Sequence, residues 1–181
     1  MEEYAYVLEY LPSGRSFDSR KEAIVQLLGR QFFTLLEATV HPNASIVLGK
    51  KVYVGKEGRE DIDRIKRKIS YHDLTTSAKD YLFNALKSLI IERENEFVDF
   101  INKARPISIR VHTLDLLPGI GKKHMSLIVS EREKSPFTSF QNIKDRIAGV
   151  DPVAVFANRI LNEIKGEERH NLFIISQQSK Y

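Results

Sequence analysis

The chain has no cysteine and no tryptophan among its 181 residues, and only two methionines. Without thiols it forms no disulfide, thiolate zinc site or iron–sulfur cluster, so its stability must come from an ordinary core. No apolar run approaches the roughly 20 residues of a membrane-spanning helix. The start, Met1-Glu2-Glu3-Tyr4, lacks the basic region and apolar stretch of a secretory signal. These absences lead us to expect a cytoplasmic protein with no membrane partner. The five histidines, His41, His72, His112, His124 and His170, lack the paired spacing of a zinc site, and neither a P-loop nor a nucleophile elbow is present. We therefore expect no metal, no cofactor and no catalytic residue. Charge of one sign is also scarce, since 28 Lys and Arg against 24 Asp and Glu leave a net +4. Residues 106–166 hold nine basic against six acidic groups, whereas residues 1–60 hold eight of each, so the surplus is local.

What is present divides the chain by pattern. Tyr4, Tyr6, Leu8 and Tyr10 alternate with Ala5, Val7 and Glu9, which predicts a strand with its large side chains on one face. Further β-type runs at Ala23 to Leu28, Gln31 to Val40, Ile46 to Leu48 and Val52 to Val54 are broken by turn residues. Five short strands predict a small barrel of the oligonucleotide-binding type over residues 1–58. Ile62, Ile65 and Ile69 fall at spacings of three and four and predict a helix, and a second helix is expected from Ser77 to Ala104, capped by Thr75 or Thr76. Residues 59–105 thus read as a helical connector ended by Arg105-Pro106.

The segment that points to function is Leu117-Pro118-Gly119-Ile120-Gly121-Lys122-Lys123, followed by an apolar helix with Leu127 and Ile128. Glycines allow a tight turn with positive φ and let a phosphate approach the backbone. The helix that follows offers unpaired N–H groups and the positive end of its dipole, and the lysines add charge. Leu117 and Ile120 are expected to anchor the turn in the core. Thirty residues on, Ile147-Ala148-Gly149-Val150-Asp151 repeats the pattern between helices at Phe140 to Arg146 and Val153 to Ile164. Asp151-Pro152 reads as a cap followed by proline at the first helical position. The expected fold class is α+β: barrel, connector, an all-α tandem helix-hairpin-helix domain over 106–166, and a flexible tail over 167–181.

The string Leu117 to Lys123, with Pro136-Phe137-Thr138-Ser139-Phe140 and Ile143 to Asp151, resembles the double helix-hairpin-helix domains of DNA-binding and repair proteins. Over nearly the whole chain, the β-rich start, Tyr53-Val54-Gly55-Lys56, Arg64 to Tyr71 and the terminal motif resemble the archaeal DUF655 family. The resemblance implies an oligonucleotide-binding-type barrel joined to a helix-hairpin-helix end and a nucleic-acid-binding role, and it suggests translation or ribosomal-RNA maturation as a setting; no activity comes with it. The sequence departs from the common hairpin pattern at Met125, where a small alanine is usual, and at Asp151, which puts a carboxylate where a phosphate oxygen would lie.

The contacts expected for nucleic acid are Pro118, Gly119, Ile120, Gly121, Lys122, Lys123, Gly149 and Val150 in the hairpins, with Lys50, Lys51, Lys56 and Arg59 beside the strands. Tyr4, Tyr6, Tyr10 and Tyr53 offer rings for base stacking but also fit a barrel core. A glycosylase would need a catalytic aspartate after the hairpin, and Asp145 and Asp151 there read instead as an exposed helix residue and a cap. The remaining alternative is a protein-interaction adaptor whose hairpins are scaffolding.

Overall fold

The computed structural model describes residues 1–15 and 21–174. Among these residues, β1 (Tyr4–Leu11), β2 (Ile24–Gly29), β3 (Leu35–Val40), β4 (Lys51–Tyr53) and β5 (Ile62–Lys68) precede five helices. The strands form one antiparallel sheet in the order β4-β1-β2-β3-β5. Setting the fourth strand beside the first gives the order of a Greek key. The edges β4 and β5 are not joined by a ladder, so the sheet is a half-barrel. The helices are α1 (Thr76–Glu92), α2 (Glu94–Lys103), α3 (Lys122–Lys134), α4 (Phe140–Arg146) and α5 (Pro152–Lys165). The α+β class is as expected. The described residues divide into two compact units, Met1–Ala85 with the segment from Asn162 to Ile174, and Leu86–Leu161, so that α1 and α5 each contribute to both.

The expected helix at 61–69 is strand β5. Its pairing with β3 slips twice, so that Ala38 opposes Ile65 and Val40 opposes Ile62 while Lys66 and Asp63 are extra residues. Each bulge adds one residue to a period of two, and a bulged strand then shows apolar residues three apart, as a helix does. Ile62 lies in the core cluster and Ile65 packs against it. The run Ile46 to Leu48 is not a strand: Ile46 packs on the core, but Val47 and Leu48 are exposed and the chain turns there, with the Lys50 amide donating to Val47 O at 3.1 Å. The sheet thus has the expected five strands with one member exchanged.

β1 also carries a bulge, between Val7 and Glu9. It breaks the alternation, so Tyr10 joins Ala5 and Val7 against the core while Tyr4 stays exposed. Tyr4 and Tyr53 meet edge to face at 5.3 Å, and Lys51 lies 5.0 Å over the Tyr4 ring. The sheet's other face is buried too, at Leu8, Ile24, Gln26 and Leu28. Gln26 receives the Thr75 amide at 2.9 Å and donates to Asp73 O at 3.0 Å, and Thr75 Oγ1 caps α1 by accepting from the Ala78 amide at 3.1 Å.

The single long helix expected to Ala104 is interrupted at Arg93, whose φ of −107° and ψ of 26° leave the helical region. Its amide is shared between the carbonyls of Leu89 and Ile90, and its guanidinium pairs with Glu96, so local hydrogen bonding compensates the break. In the unit Leu86–Leu161, Phe97, Phe100 and Phe140 gather around the Phe156 ring at 4.7 to 6.5 Å. Arg132 of α3 donates to Ile101 O and Ala104 O at the end of α2, satisfying carbonyls that a helix terminus leaves free. In the segment after α5, the amides of Leu172, Phe173 and Ile174 donate to the buried Glu163 carboxylate at 2.8 to 3.0 Å. Residues 175–181 of that expected tail lie outside the described residues.

Glu2 has a comparable role at the other end of the sequence. Its buried carboxylate accepts the amides of Gln31, Phe32 and Thr34 at 2.8, 2.9 and 3.2 Å, around a turn in which Phe33 has a φ of +54°. Three charge-assisted bonds thus hold a backbone conformation that a non-glycine residue rarely takes. Glu2→Ala should cost about 3 kcal/mol, because it leaves these amides without their acceptor. Urea unfolding measures it, and a loss below about 1 kcal/mol would show that water replaces the carboxylate.

Candidate functional site

The turn between the Thr113–Leu116 3-10 segment and α3 is built from buried residues outward. Leu117 and Ile120 are buried as expected, and the Ile120 amide closes the turn on Leu117 O at 3.0 Å. Between them Pro118 is half-buried and Gly119 exposed, with a Gly119 φ of +86° that L residues rarely adopt. The second turn repeats this: Ile147 and Val150 are buried, the Val150 amide reaches Ile147 O at 3.4 Å, and Gly149 has a φ of +81°. The turns also lie reciprocally. A Cβ on Gly119 would come within 3.9 Å of Val155 on α5, and one on Gly149 within 3.8 Å of His124 on α3. Each turn therefore faces the first turn of the helix that follows the other.

The two helix starts differ in chemistry. α3 begins after Gly121, which supplies no side-chain cap, so its first amides keep their donors. Gly121 is exposed with a φ of −81°, so of the two glycines only Gly119 needs positive φ. Lys122 and Lys123 are exposed and have no ion-pair partner among the described residues. At α5, by contrast, Asp151 Oδ1 accepts the Val153 amide at 3.2 Å and pairs with Lys144 at 3.2 Å. The sequence-derived cap is in place, and its carboxylate occupies the approach to the second helix.

Two positioning residues were not singled out from the sequence. Arg159, buried on α5, donates to Leu116 O at 2.8 Å and fixes the chain just before the first turn. The only hint is its place one residue before Ile160 on the buried side of α5. His112 Nδ1 accepts the Leu114 amide at 3.1 Å while the His112 amide donates to Asp115 at 2.9 Å, a reciprocal cap on the 3-10 segment.

The expected barrel contacts lie in the other compact unit and are less uniform. Lys50 Nζ is bound by Asp61 at 2.7 Å and Ser45 O at 2.8 Å, so its charge is already paired. Lys51 covers Tyr4. Arg59 donates to Gly55 O and Asp63 O, tying the β4–β5 connection to β5, and Lys56 is exposed without an ion-pair partner among the described residues. No group of three or more metal-ligating side chains occurs among the described residues, and no helix among them is long and apolar enough to cross a membrane.

Burial holds the His112 imidazole below its ordinary value of 6.5, Arg132 acts in the same direction, and Asp115 opposes them. Because the folded state disfavours the proton, the stability tied to neutral His112 is present above pH 6.5 and is lost as pH falls through that value towards the lower folded one. The melting temperature of wild type should therefore fall relative to that of His112→Asn between about pH 7.5 and about pH 5.5, since asparagine caps without titrating. Parallel pH profiles would contradict this.

The chain belongs to the DUF655 family, a family of proteins of unknown function whose model matches residues 1–175. It is 41% identical to the uncharacterized protein MJ0038 of Methanocaldococcus jannaschii over 179 residues, 99% of this chain and 82% of that protein. It is also similar to the crystal structure of Af1531 from Archaeoglobus fulgidus, assigned to the same family, with a TM-score of 0.91 and 39% identity over 96% of this chain and all of that one.

Proposed function

We propose that this DUF655 member binds the sugar–phosphate backbone of DNA or RNA, largely without regard to sequence, and that its two turns are a tandem helix-hairpin-helix. The observation that carries the reading is the start of α3: a positive-φ glycine turn anchored by Leu117 and Ile120, an uncapped helix N-terminus, and two unpaired lysines. Such a start offers amide donors, a favourable dipole and cationic charge to one phosphate group. None of these groups is aimed at base edges, so they position the ligand without reading it. The five-strand half-barrel fits an open barrel of the oligonucleotide-binding type. The role is that of a binding protein, with no catalytic residue assigned.

The reading also makes the turns unequal. The Asp151 carboxylate and its Lys144 partner satisfy each other at the second helix, so the first turn carries the phosphate. Titrations of a labelled duplex and an RNA hairpin at matched salt test this. The pair Lys122→Ala and Lys123→Ala should weaken binding and lower the salt dependence by about 0.9 log units per log unit of salt for each duplex phosphate no longer neutralised, with the fold intact by circular dichroism. Gly119→Val should weaken binding further, through turn strain of roughly 1–2 kcal/mol and a blocked approach. Asp151→Gly should tighten binding, since it removes a negative charge and frees Lys144, at a stability cost of a few tenths of a kcal/mol. If the lysine and Gly119 variants bind as wild type does, the hairpins are scaffolding and the adaptor reading replaces this one.

A further inference from the structure

The half-barrel is open between its edge strands. At that opening, near the end of β4 and along β5, lies a cleft of about 590 Å³, within the range of small-molecule sites. Leu36, Val54 and Ile65 give it an apolar floor continuous with the core, and Phe32 adds an aromatic ring. Its charged rim is Lys56, Arg59 and Lys68. Neither Lys56 nor Lys68 has an ion-pair or hydrogen-bond partner among the described residues. Glu2 is the acid among the lining residues, and both of its oxygens are occupied by the backbone amides of the β2–β3 turn.

We infer that this cleft takes one unpaired nucleotide of a single-stranded segment, with its base over the apolar floor against Phe32 and its flanking phosphates on Lys56, Arg59 and Lys68. An apolar floor with an aromatic wall suits a flat, weakly polar ring, which gains by stacking whatever its identity. Three cations around one small cleft exceed the need of a fatty acid with a single carboxylate and match the phosphates on either side of a nucleotide. A base-paired nucleotide does not fit, because its ring is stacked inside the duplex. The inference rests on the proposed nucleic-acid role, but it uses only residues of the half-barrel and assigns them a single-strand ligand that the turn at α3 does not select.

Because the chain contains no tryptophan, Phe32→Trp places a unique fluorophore in the cleft. An oligonucleotide of six uridines should quench it, and an abasic oligomer with the same number of phosphates should not. In otherwise wild-type protein, Phe32→Ala should lower affinity for the six-uridine strand about tenfold. Lys56→Glu with Lys68→Glu should lower it further, and both changes should weaken single-strand binding far more than duplex binding. The lysine variant keeps the test valid if Phe32→Ala fails to fold. Equal quenching by the abasic oligomer, or equal loss of single-strand and duplex binding, overturns the inference, as does quenching by oleate in place of the oligonucleotide. Failure here with duplex binding still sensitive to Lys122 and Lys123 removes the cleft assignment alone. Loss of that sensitivity removes the backbone-binding reading instead.

Discussion

An α-helix that begins without a side-chain cap must find partners for its first amides outside itself, and α3 begins in this way at Gly121. Much of the unit Leu86–Leu161 positions that start. Leu117 and Ile120 hold the turn from the core side, Arg159 holds the carbonyl before it, and His112 with Asp115 closes the 3-10 segment that leads in. At the far end of α3, Arg132 is bonded to the last carbonyls of α2. With both ends of α3 fixed by these contacts, its first amides and its lysines would need little reorganisation to receive the anion proposed for them. Preorganisation of this kind lowers the cost of binding.

The second turn shows what the same backbone does with a different residue after it. Its glycine φ and its closing hydrogen bond match those of the first turn. Asp151 then supplies from within the chain a negative charge at the helix start, which the first turn lacks. The two turns thus share their packing, in which each faces the other's helix, while their helix starts differ: one is capped by Asp151 and the other has no side-chain cap. A similar division holds in the half-barrel: Lys50 is paired with Asp61 and Arg59 is bonded to backbone carbonyls, whereas Lys56 and Lys68 keep their charges free at the cleft.

The helical motif was legible because its signals are local. The span of α4, the start of α5 at Pro152 and the burial of Leu117, Ile120, Ile147 and Val150 all follow from turn residues and apolar spacing within a few positions. β5 was not legible, since two bulges gave Ile62 and Ile65 a helical spacing that only pairing with β3 resolves. The break at Arg93 carries no proline or glycine to mark it. Glu2, Glu163 and Arg159 act across 9 to 43 positions as partners of backbone groups, and a charged residue in a sequence does not show which amide or carbonyl it will meet. Likewise the sequence shows Lys50 as a candidate contact for nucleic acid but does not show its ion pair with Asp61.

In the proposed function the open amides of α3 receive a phosphate. Following the backbone amide resonances of isotope-labelled protein as a short DNA duplex is added tests it residue by residue. The account predicts that Gly121, Lys122, Lys123 and His124 shift first and furthest, well ahead of Val153 and Ala154 at the capped start of α5. Equal shifts at both helix starts, or shifts at neither, would contradict it.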